Sequence, residues 1–324
     1  MRRPPAALLA LAVPAVLLAG LAVGAVPLAP AAIGRALVDG DAPAAAIVRG
    51  VRLPRVLLAF AVGGALGTCG AAMQAIVRNP LAEPYLLGLA GGAGLGAVLA
   101  HALGAASAWG VTPAAFAGAL AAVLAVVRLA TVGGRRLDPL VLLLAGVVIG
   151  AFCAAVTSGL LTVADATTLR GAQFWLLGSF APASWPLLAA FAGYAVLPLA
   201  LLQRDARALD LLALGDEPAR HLGADVDAVR RRVVLAAALL TAAAVAVAGV
   251  IGFVGLVVPH ATRLLWGPLH RALLPLAFLT GGCFLVLADL AARTVARPIE
   301  LPLGAVTAVV GVPVFALLLR RVLR

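Results

Sequence analysis

Lysine is absent from this sequence, and charged residues of all kinds are scarce. Charged residues make up 11% of the 324 positions, whereas hydrophobic residues make up 64%. A soluble domain usually carries roughly 25% charged residues, so this chain cannot cover a water-facing surface, and lipid must be its main solvent. Without lysine the chain also cannot form the GxxxxGK[ST] phosphate-binding loop. The composition therefore excludes a soluble domain and an ATPase of the P-loop class.

Cysteine and histidine are few, and neither is clustered. The cysteines lie inside apolar segments without CxxC spacing, so we interpret them as small packing residues. No HExxH, GxSxG or GxGD motif is present, which argues against a metal site, a bound cofactor and an intramembrane enzyme. The residues concerned are Cys69, Cys153 and Cys283, with His101, His221, His260 and His270.

Long apolar runs recur along the whole chain. A bilayer core about 30 Å thick requires about 20 helical residues, because each residue rises 1.5 Å. The runs that fit are 6–28, 54–77, 85–103, 111–130, 138–163, 186–202, 230–251, 254–267, 272–292 and 304–321. No long polar segment separates them. We therefore predict an all-α membrane protein of about ten transmembrane helices, with residues 1–324 forming a single transmembrane domain.

The arginine residues indicate how these spans are oriented. If the N-terminus is cytoplasmic, 17 of the 24 arginines fall in cytoplasmic segments, as the positive-inside rule requires. An even number of spans then places both termini in the cytoplasm. Because the arginines lie between apolar spans, the net charge of +11 reflects topology, and no nucleic-acid partner is expected. The run Ala6–Val26 could be a signal peptide, but its length favours a first helix.

The largest polar segment is Gln203–Asp227, between the sixth and seventh predicted spans. Leucines recur at helical spacing among its charges, and Gly215 and Gly223 interrupt it. This pattern predicts two short helices joined by a turn, at about 208–226, that lie on the membrane surface. A solvated loop is the alternative, although a plain connector rarely keeps leucines at helical spacing. The leucines are Leu209, Leu212, Leu214 and Leu222.

Several ordered motifs resemble those of one known family. The segments are RLPRVLLAFAVGGALGTCGAAMQAIVRNPLAEPYLLGLAGGAGLGA (52–97), LGDEPARHLG (214–223), GVIGFVGLVVPHATR (249–263) and ELPLGAVTAVVGVPVF (300–315). In this order and at these intervals they resemble the FecCD family of import permeases, which serve siderophores, haem and vitamin B12. The resemblance covers nearly the whole chain from Arg49 onward.

The resemblance implies both a fold and a set of partners. It implies the type II ABC importer permease fold, a homodimer, two cytoplasmic ATPase subunits and an extracytoplasmic substrate-binding protein in a bacterial cytoplasmic membrane. ATP would then be used by the partner subunit, and this chain would bind no cofactor. We expect an iron–siderophore complex as cargo, with haem or cobalamin as the alternative, because the binding protein selects the cargo.

The resemblance also implies roles for three groups of residues. Residues expected to couple to the ATPase are Gly215, Asp216, Glu217, Ala219, Arg220, Leu222 and Gly223. Residues expected to dock the binding protein are Arg52, Arg55 and Arg293. Residues expected to line the translocation pathway are Gly146, Gly150, Ala154, Thr157 and Ser158.

Each of these roles has a structural alternative. The outer arginines could extend to the membrane interface, and Arg293 could pair with Asp289 one helical turn earlier. The small residues of the fifth span could serve helix packing alone. A proton-coupled secondary transporter is the main rival function, but such proteins place ionisable residues near the membrane midplane. Here the acidic residues cluster at span ends, with Asp289 as the main exception.

Overall fold

The computed structural model describes residues 7–24, 26–40, 43–131 and 137–322, and these contain helices and no strands. The predicted cytoplasmic termini lie outside the described residues. The helices are α1 (Ala7–Ala22), α2 (Pro30–Val38), α3 (Ala45–Ile47), α4 (Leu53–Val77), α5 (Leu89–Ala102), α6 (Ala108–Ala130), α7 (Pro139–Val163), α8 (Ala166–Leu176), α9 (Trp185–Arg204), α10 (Ala206–Leu212), α11 (Asp216–His221), α12 (Val226–Ala248), α13 (Val254–Trp266), α14 (His270–Ala292) and α15 (Leu303–Val322). A π-helical turn, Val48–Arg52, joins α3 to α4, and a 3-10 turn, Pro84–Leu87, precedes α5.

Every predicted span contains one of these helices, but their lengths differ. Six helical segments are long and apolar enough to cross a membrane: α3–α4, α6, α7, α9, α12 and α14. Helices α1, α5 and α15 are apolar over shorter described stretches. Helix α13 has 13 residues and is about 20 Å long, so it cannot span a bilayer core alone. The all-α fold is confirmed, while the count of ten complete spans stays a prediction.

Local sequence signals determine where the helices begin and end. The Asp138 carboxylate accepts hydrogen bonds from the backbone N–H groups of Leu140 and Val141, at 2.8 and 3.3 Å, and so caps α7. Helix α4 ends where Arg78 adopts a left-handed conformation, just before the Asn79–Pro80 pair. These signals are readable in the sequence because each involves neighbouring residues.

Glycine lets the central helices approach closely. A methyl group added to Gly63 of α4 would collide with the carbonyl of Gly281 in α14, and the reverse holds for Gly281. Gly92 of α5 and Gly118 of α6 face each other in the same way. Small residues at such crossings maximise van der Waals contact where lipid provides no hydrophobic drive. Helix α4 is therefore the buried centre of the bundle.

A short non-helical segment separates α12 from α13. Gly249 and Phe253 both have positive φ angles, of 72° and 68°, so the chain turns before α13 begins. The Glu83 carboxylate accepts a hydrogen bond from the Phe253 N–H at 2.7 Å, and the Tyr85 hydroxyl accepts one from Ile251. These side chains accept hydrogen bonds from backbone N–H groups for which lipid offers no acceptor. The turn that precedes α5 thus stabilises the start of α13.

Candidate coupling and transport sites

The polar segment between α9 and α12 forms two short helices, α10 and α11. Gly215, with a φ angle of 119°, provides the turn between them, and Gly223, with a φ of 85°, follows α11. Both angles lie in the region that favours glycine. The buried side of the pair includes Leu209, Leu212 and Ala219. We call this pair of helices, with their connecting turn, the elbow.

The opposite side of the elbow is exposed and mixes apolar with charged groups. Leu214 and Leu222 are 65% and 62% exposed, although both are large apolar side chains. Glu217, Arg220 and Gly223 are also exposed beside them. An exposed apolar group with charged neighbours is typical of a protein contact surface. Of the residues predicted to couple to an ATPase, Glu217, Arg220, Leu222 and Gly223 are available on this surface, whereas Gly215 and Ala219 are buried.

Two carboxylates hold the first half of the elbow against the helical bundle. The Asp205 carboxylate accepts two hydrogen bonds from Arg232 of α12, at 2.9 and 3.0 Å. The bidentate geometry of this pair fixes the two side chains as well as adding energy. The Asp210 carboxylate accepts one hydrogen bond from the His270 backbone N–H and contacts the His270 ring at 2.7 Å. Helix α10 therefore sits rigidly on the ends of α12 and α14.

The second half of the elbow is held by Arg230. Its guanidinium donates to the Asp216 carboxylate at 2.7 Å and to the Leu137 carbonyl at 3.1 Å. Arg230 is only 3% exposed. Asp216, for which the family resemblance implies ATPase coupling, directs its partly exposed carboxylate toward Arg230, and its coupling role stays a prediction. The sequence motif placed Asp216 in the right segment and gave no signal for its partner 14 residues away.

The three arginines predicted to dock a binding protein lie together at the opposite end of the bundle. Arg52 is 5% exposed and donates hydrogen bonds to the carbonyls of Leu21, Ala22 and Val26. Arg293 donates to the Gly20 carbonyl at 2.8 Å. Their guanidinium groups are therefore engaged within the chain. This geometry favours the structural alternative, and a docking role for these residues stays a prediction.

Arg55 binds two carboxylates at this same end. It contacts Asp289 at 2.9 Å and Glu300 at 3.0 Å, and Asp289 also pairs with Arg293 at 3.2 Å. The pairing of Arg293 with Asp289, expected as an alternative, is thus present. The hydrogen bonds from Arg55 hold the pKa of the Glu300 carboxyl below its ordinary value. This network, which we call the outer network, ties α4 to α14 and to the segment that precedes α15.

Helix α7 presents only part of its predicted pathway surface to the outside. Gly146 and Thr157 are buried, Gly150 is half-buried, and Ala154 and Ser158 are exposed. Gly146 packs against the backbone of the 3-10 turn, where a larger residue would collide. The packing alternative therefore applies to Gly146. Ala154 and Ser158 remain available to a pathway or to a second copy.

The described residues contain no group of three or more His, Cys, Asp or Glu side chains that could hold a metal ion. The three cysteines are free and buried, as their apolar surroundings predicted.

Comparison with known proteins identifies the family. The model of the FecCD transport family matches residues 10–321. The chain belongs to the FecCD family. As a FecCD protein it is the permease subunit of an ABC importer, and its resemblance in sequence is matched by the observed fold. An inward-facing metal-chelate type ABC transporter of known structure superposes with a TM-score of 0.86 at 30% identity, covering 97% of both chains.

Two curated relatives have different cargoes in their names. This FecCD permease is 45% identical to the cobalamin import system permease BtuC of Halobacterium salinarum, over 86% of this chain and 74% of the relative. It is also 45% identical to the hemin transport system permease HmuU of Yersinia pestis, over 84% of this chain and 82% of the relative. The family is therefore established, whereas these similarities do not single out a cargo.

Proposed function

We propose that this chain is the membrane-spanning subunit of an ATP-driven importer that works as a homodimer. Each copy docks one ATPase subunit on its elbow, and a substrate-binding protein delivers cargo at the end that carries the outer network. The chain lies in a bacterial cytoplasmic membrane with both termini in the cytoplasm. The observation that carries this proposal is the exposed pair Leu214 and Leu222 on an elbow that is otherwise rigidly attached.

The cargo of the proposed importer is a bulky metal-containing chelate. An iron–siderophore complex is our first candidate, and its support is the similarity to a metal-chelate type transporter. Haem and cobalamin are equally supported candidates, because two relatives at the same identity are named for them. All three cargoes carry their metal inside an organic ligand, so none requires a metal site on the permease.

The pathway in this proposal lies between two copies of the chain. Helix α7 exposes Ala151, Ala155 and Ser158 on one face, and small side chains leave room for a large cargo. Gly146 and Thr157 are buried, and they would pack against the rest of the bundle on the other side of α7. A wide passage with few polar contacts suits release driven by a conformational change.

At the opposite end, the residues that we propose to contact the binding protein differ from those that the family resemblance implies. Arg52, Arg55 and Arg293 are engaged internally, so we propose that they shape the docking surface by holding its backbone. The arginines exposed at this end are Arg35, Arg170 and Arg297. Exposed positive charges steer an acidic partner and accelerate its encounter.

The ATPase contact is tested by changing the two exposed leucines. We expect Leu214→Arg combined with Leu222→Arg to abolish copurification of the ATPase, because two charges would replace the apolar contact. Ile299→Arg is the matched control, since Ile299 is 69% exposed at the opposite end. Copurification that survives the double change would show that the elbow does not bind the ATPase.

The cargo is identified with the cognate binding protein and purified transporter. Binding of ferric siderophores, haem and cobalamin is measured first, and uptake of each ligand into proteoliposomes is measured with ATP inside. One class should be both bound and imported. ATP-independent, proton-driven uptake by the permease alone would contradict the proposed function.

A further inference from the structure

Arg230 differs from the other arginines at the elbow because it contacts two separate parts of the chain. One guanidinium nitrogen contacts the Asp216 carboxylate at 2.7 Å, and another contacts the Leu137 carbonyl at 3.1 Å. Its side chain is 4% exposed, and that of Asp216 is 28% exposed. Water therefore has little access to compete for these bonds.

The two partners of Arg230 belong to elements with different proposed tasks. Asp216 is the first residue of α11, the second helix of the elbow. Leu137 immediately precedes Asp138, whose side chain caps α7. Arg230 itself lies one turn into α12. A single side chain thus joins the surface proposed to contact the ATPase to the helix proposed to line the pathway.

The neighbouring pair in the same helix does not make this connection. Arg232 binds Asp205, which lies between α9 and α10, and the Arg232 side chain is 40% exposed. No hydrogen bond or ion pair joins Arg232 to Leu137 or to α7 in the part of the chain that the structure describes. The two arginines therefore form similar carboxylate bonds, but only Arg230 reaches the start of α7.

The guanidinium group is suited to transmitting a displacement. It is planar and rigid, and it holds two acceptors in a fixed relation, whereas a lysine ammonium acts as a single flexible point charge. Short charge-assisted hydrogen bonds are also stronger than neutral ones. If α11 moves, Asp216, Arg230 and Leu137 must move together or break a buried bond.

We propose that Arg230 is a positioning residue that transmits movement of α11 to the N-terminal end of α7. The inference rests on the proposed function, since it requires an ATPase that moves the elbow. ATP-driven displacement of α11 pulls on Arg230 through Asp216. Arg230 then shifts the Leu137 backbone, and the pathway helix changes position. Loss of this connection leaves ATPase binding intact and uncouples hydrolysis from transport.

The first test measures cargo imported per ATP hydrolysed, using permease, ATPase and binding protein in proteoliposomes. Arg230→Gln should lower this ratio at least about tenfold, because a buried charged hydrogen-bond donor is lost. Asp216→Ala breaks the same connection from a partly exposed position, where folding is less at risk. Arg230→Lys retains one contact and should give an intermediate ratio. Arg231→Gln is the matched control, because Arg231 is an exposed neighbour in α12, and it should keep the ratio within about twofold of wild type.

The second test follows α7 directly. Leu140 is 65% exposed in the first turn of α7, so Leu140→Cys can carry an environment-sensitive fluorophore. ATP binding should change its signal in the otherwise unmodified complex and in the Arg231→Gln complex. The signal should stay constant in the Arg230→Gln and Asp216→Ala complexes, although ATPase is bound. A merely structural role for Arg230 would not produce this selective loss.

The outcomes separate the two proposals. A wild-type complex that binds no ATPase or imports no cargo overturns the proposed function and this inference with it. A competent wild-type complex in which Asp216→Ala keeps the normal transport ratio and the normal fluorophore response overturns the inference alone. Equal losses in the Arg230→Gln and Arg231→Gln complexes do the same, because the bonds of Arg230 to Asp216 and Leu137 would then have no special effect.

Discussion

Arg55 binds two carboxylates at once and is almost removed from solvent. It is 9% exposed, Asp289 is 2% exposed, and Glu300 closes the network from the surface side. A buried charge is costly unless it is paired and hydrogen-bonded. Asp289 and Glu300 accept hydrogen bonds from Arg55, and Arg293 balances the second negative charge. The outer network is therefore a satisfied structural unit, and each member depends on the others.

Removal of Arg55 should destabilise the protein. We expect Arg55→Leu to lower the free energy of unfolding by about 3 kcal/mol, because breaking a buried pair leaves charge without its partner. Thermal unfolding in detergent measures the effect. Arg297→Leu, at an exposed position of the same end, should leave the midpoint nearly unchanged. Equal midpoints for the two variants would contradict a stabilising role for the outer network.

Single residues were predictable from sequence only where their partners are close in the chain. The pairing of Arg293 with Asp289 follows from helical spacing, because the two residues are one turn apart. The pairing of Arg55 with Glu300 joins residues 245 positions apart, and no local pattern could indicate it. The same reason explains why the sequence does not indicate that Arg230 binds Asp216, which lies 14 positions earlier.

Helices α4 and α14 form the closest contact at the element scale. Gly63 and Gly281 meet at their crossing, and neither position has room for a methyl group. Gly193 of α9 provides a contrast, because nothing lies within 4 Å of an added methyl group there. The two kinds of glycine share the same sequence context of an apolar helix but differ in their neighbours.

This contrast gives a prediction about packing. Gly63→Ala should lower stability by about 1–3 kcal/mol through overpacking, although alanine alone favours a helix. Gly193→Ala should leave stability unchanged or raise it, because the same substitution meets open space. Thermal unfolding of the two variants in one detergent compares them. A Gly63→Ala protein as stable as the Gly193→Ala protein would show that α4 and α14 can separate without cost.

The sequence predicts where a helix occurs better than it predicts how long that helix is. Apolar runs located a helix in every predicted span, because burial in lipid demands about 20 apolar residues. Helices α2 and α8 were not predicted, since they lie in the connections between spans. Segment 254–267 is predicted as a span because it is apolar, yet Gly249 and Phe253 turn the chain before α13 begins, and α13 has only 13 residues.

At the scale of the whole molecule, α7 is the least buried of the six long apolar helical segments in the described structure. Only 22% of the residues in the 18-residue apolar stretch of α7 are buried, compared with 83% for the α3–α4 segment. Its exposed face includes Ala151, Ala155 and Ser158. Either lipid or a second copy of the chain must cover this face. The proposed homodimer assigns it to the second copy and to the pathway.

The dimer is tested by cysteine cross-linking in membranes. Under two-fold symmetry a residue near the axis meets the same residue of the other copy. We expect a single cysteine at one of these three α7 positions, with Ser158→Cys as the first choice, to form a covalent dimer on oxidation. Gly193→Cys, which is exposed on α9, should remain monomeric. Absence of dimers for all three α7 variants would contradict an interface at this face.

The fold and family of the molecule were predictable because many weak signals act along the whole chain. Motifs between residues 52 and 315 fall in the same order as in the FecCD family, and the family match covers residues 10–321. The cargo was not predictable, since no described side-chain cluster in the permease is specific for one chelate. Assembly likewise depends on surfaces whose partners belong to other chains.

The burial of all three native thiols has a practical consequence. Cys69, Cys153 and Cys283 are free but enclosed by neighbouring helices. A thiol introduced on an exposed face will therefore be the site that a maleimide or an oxidant reaches first. The natural protein can serve directly as the background for single-site labelling, and its motions during a transport cycle can be followed without first replacing any residue of the bundle.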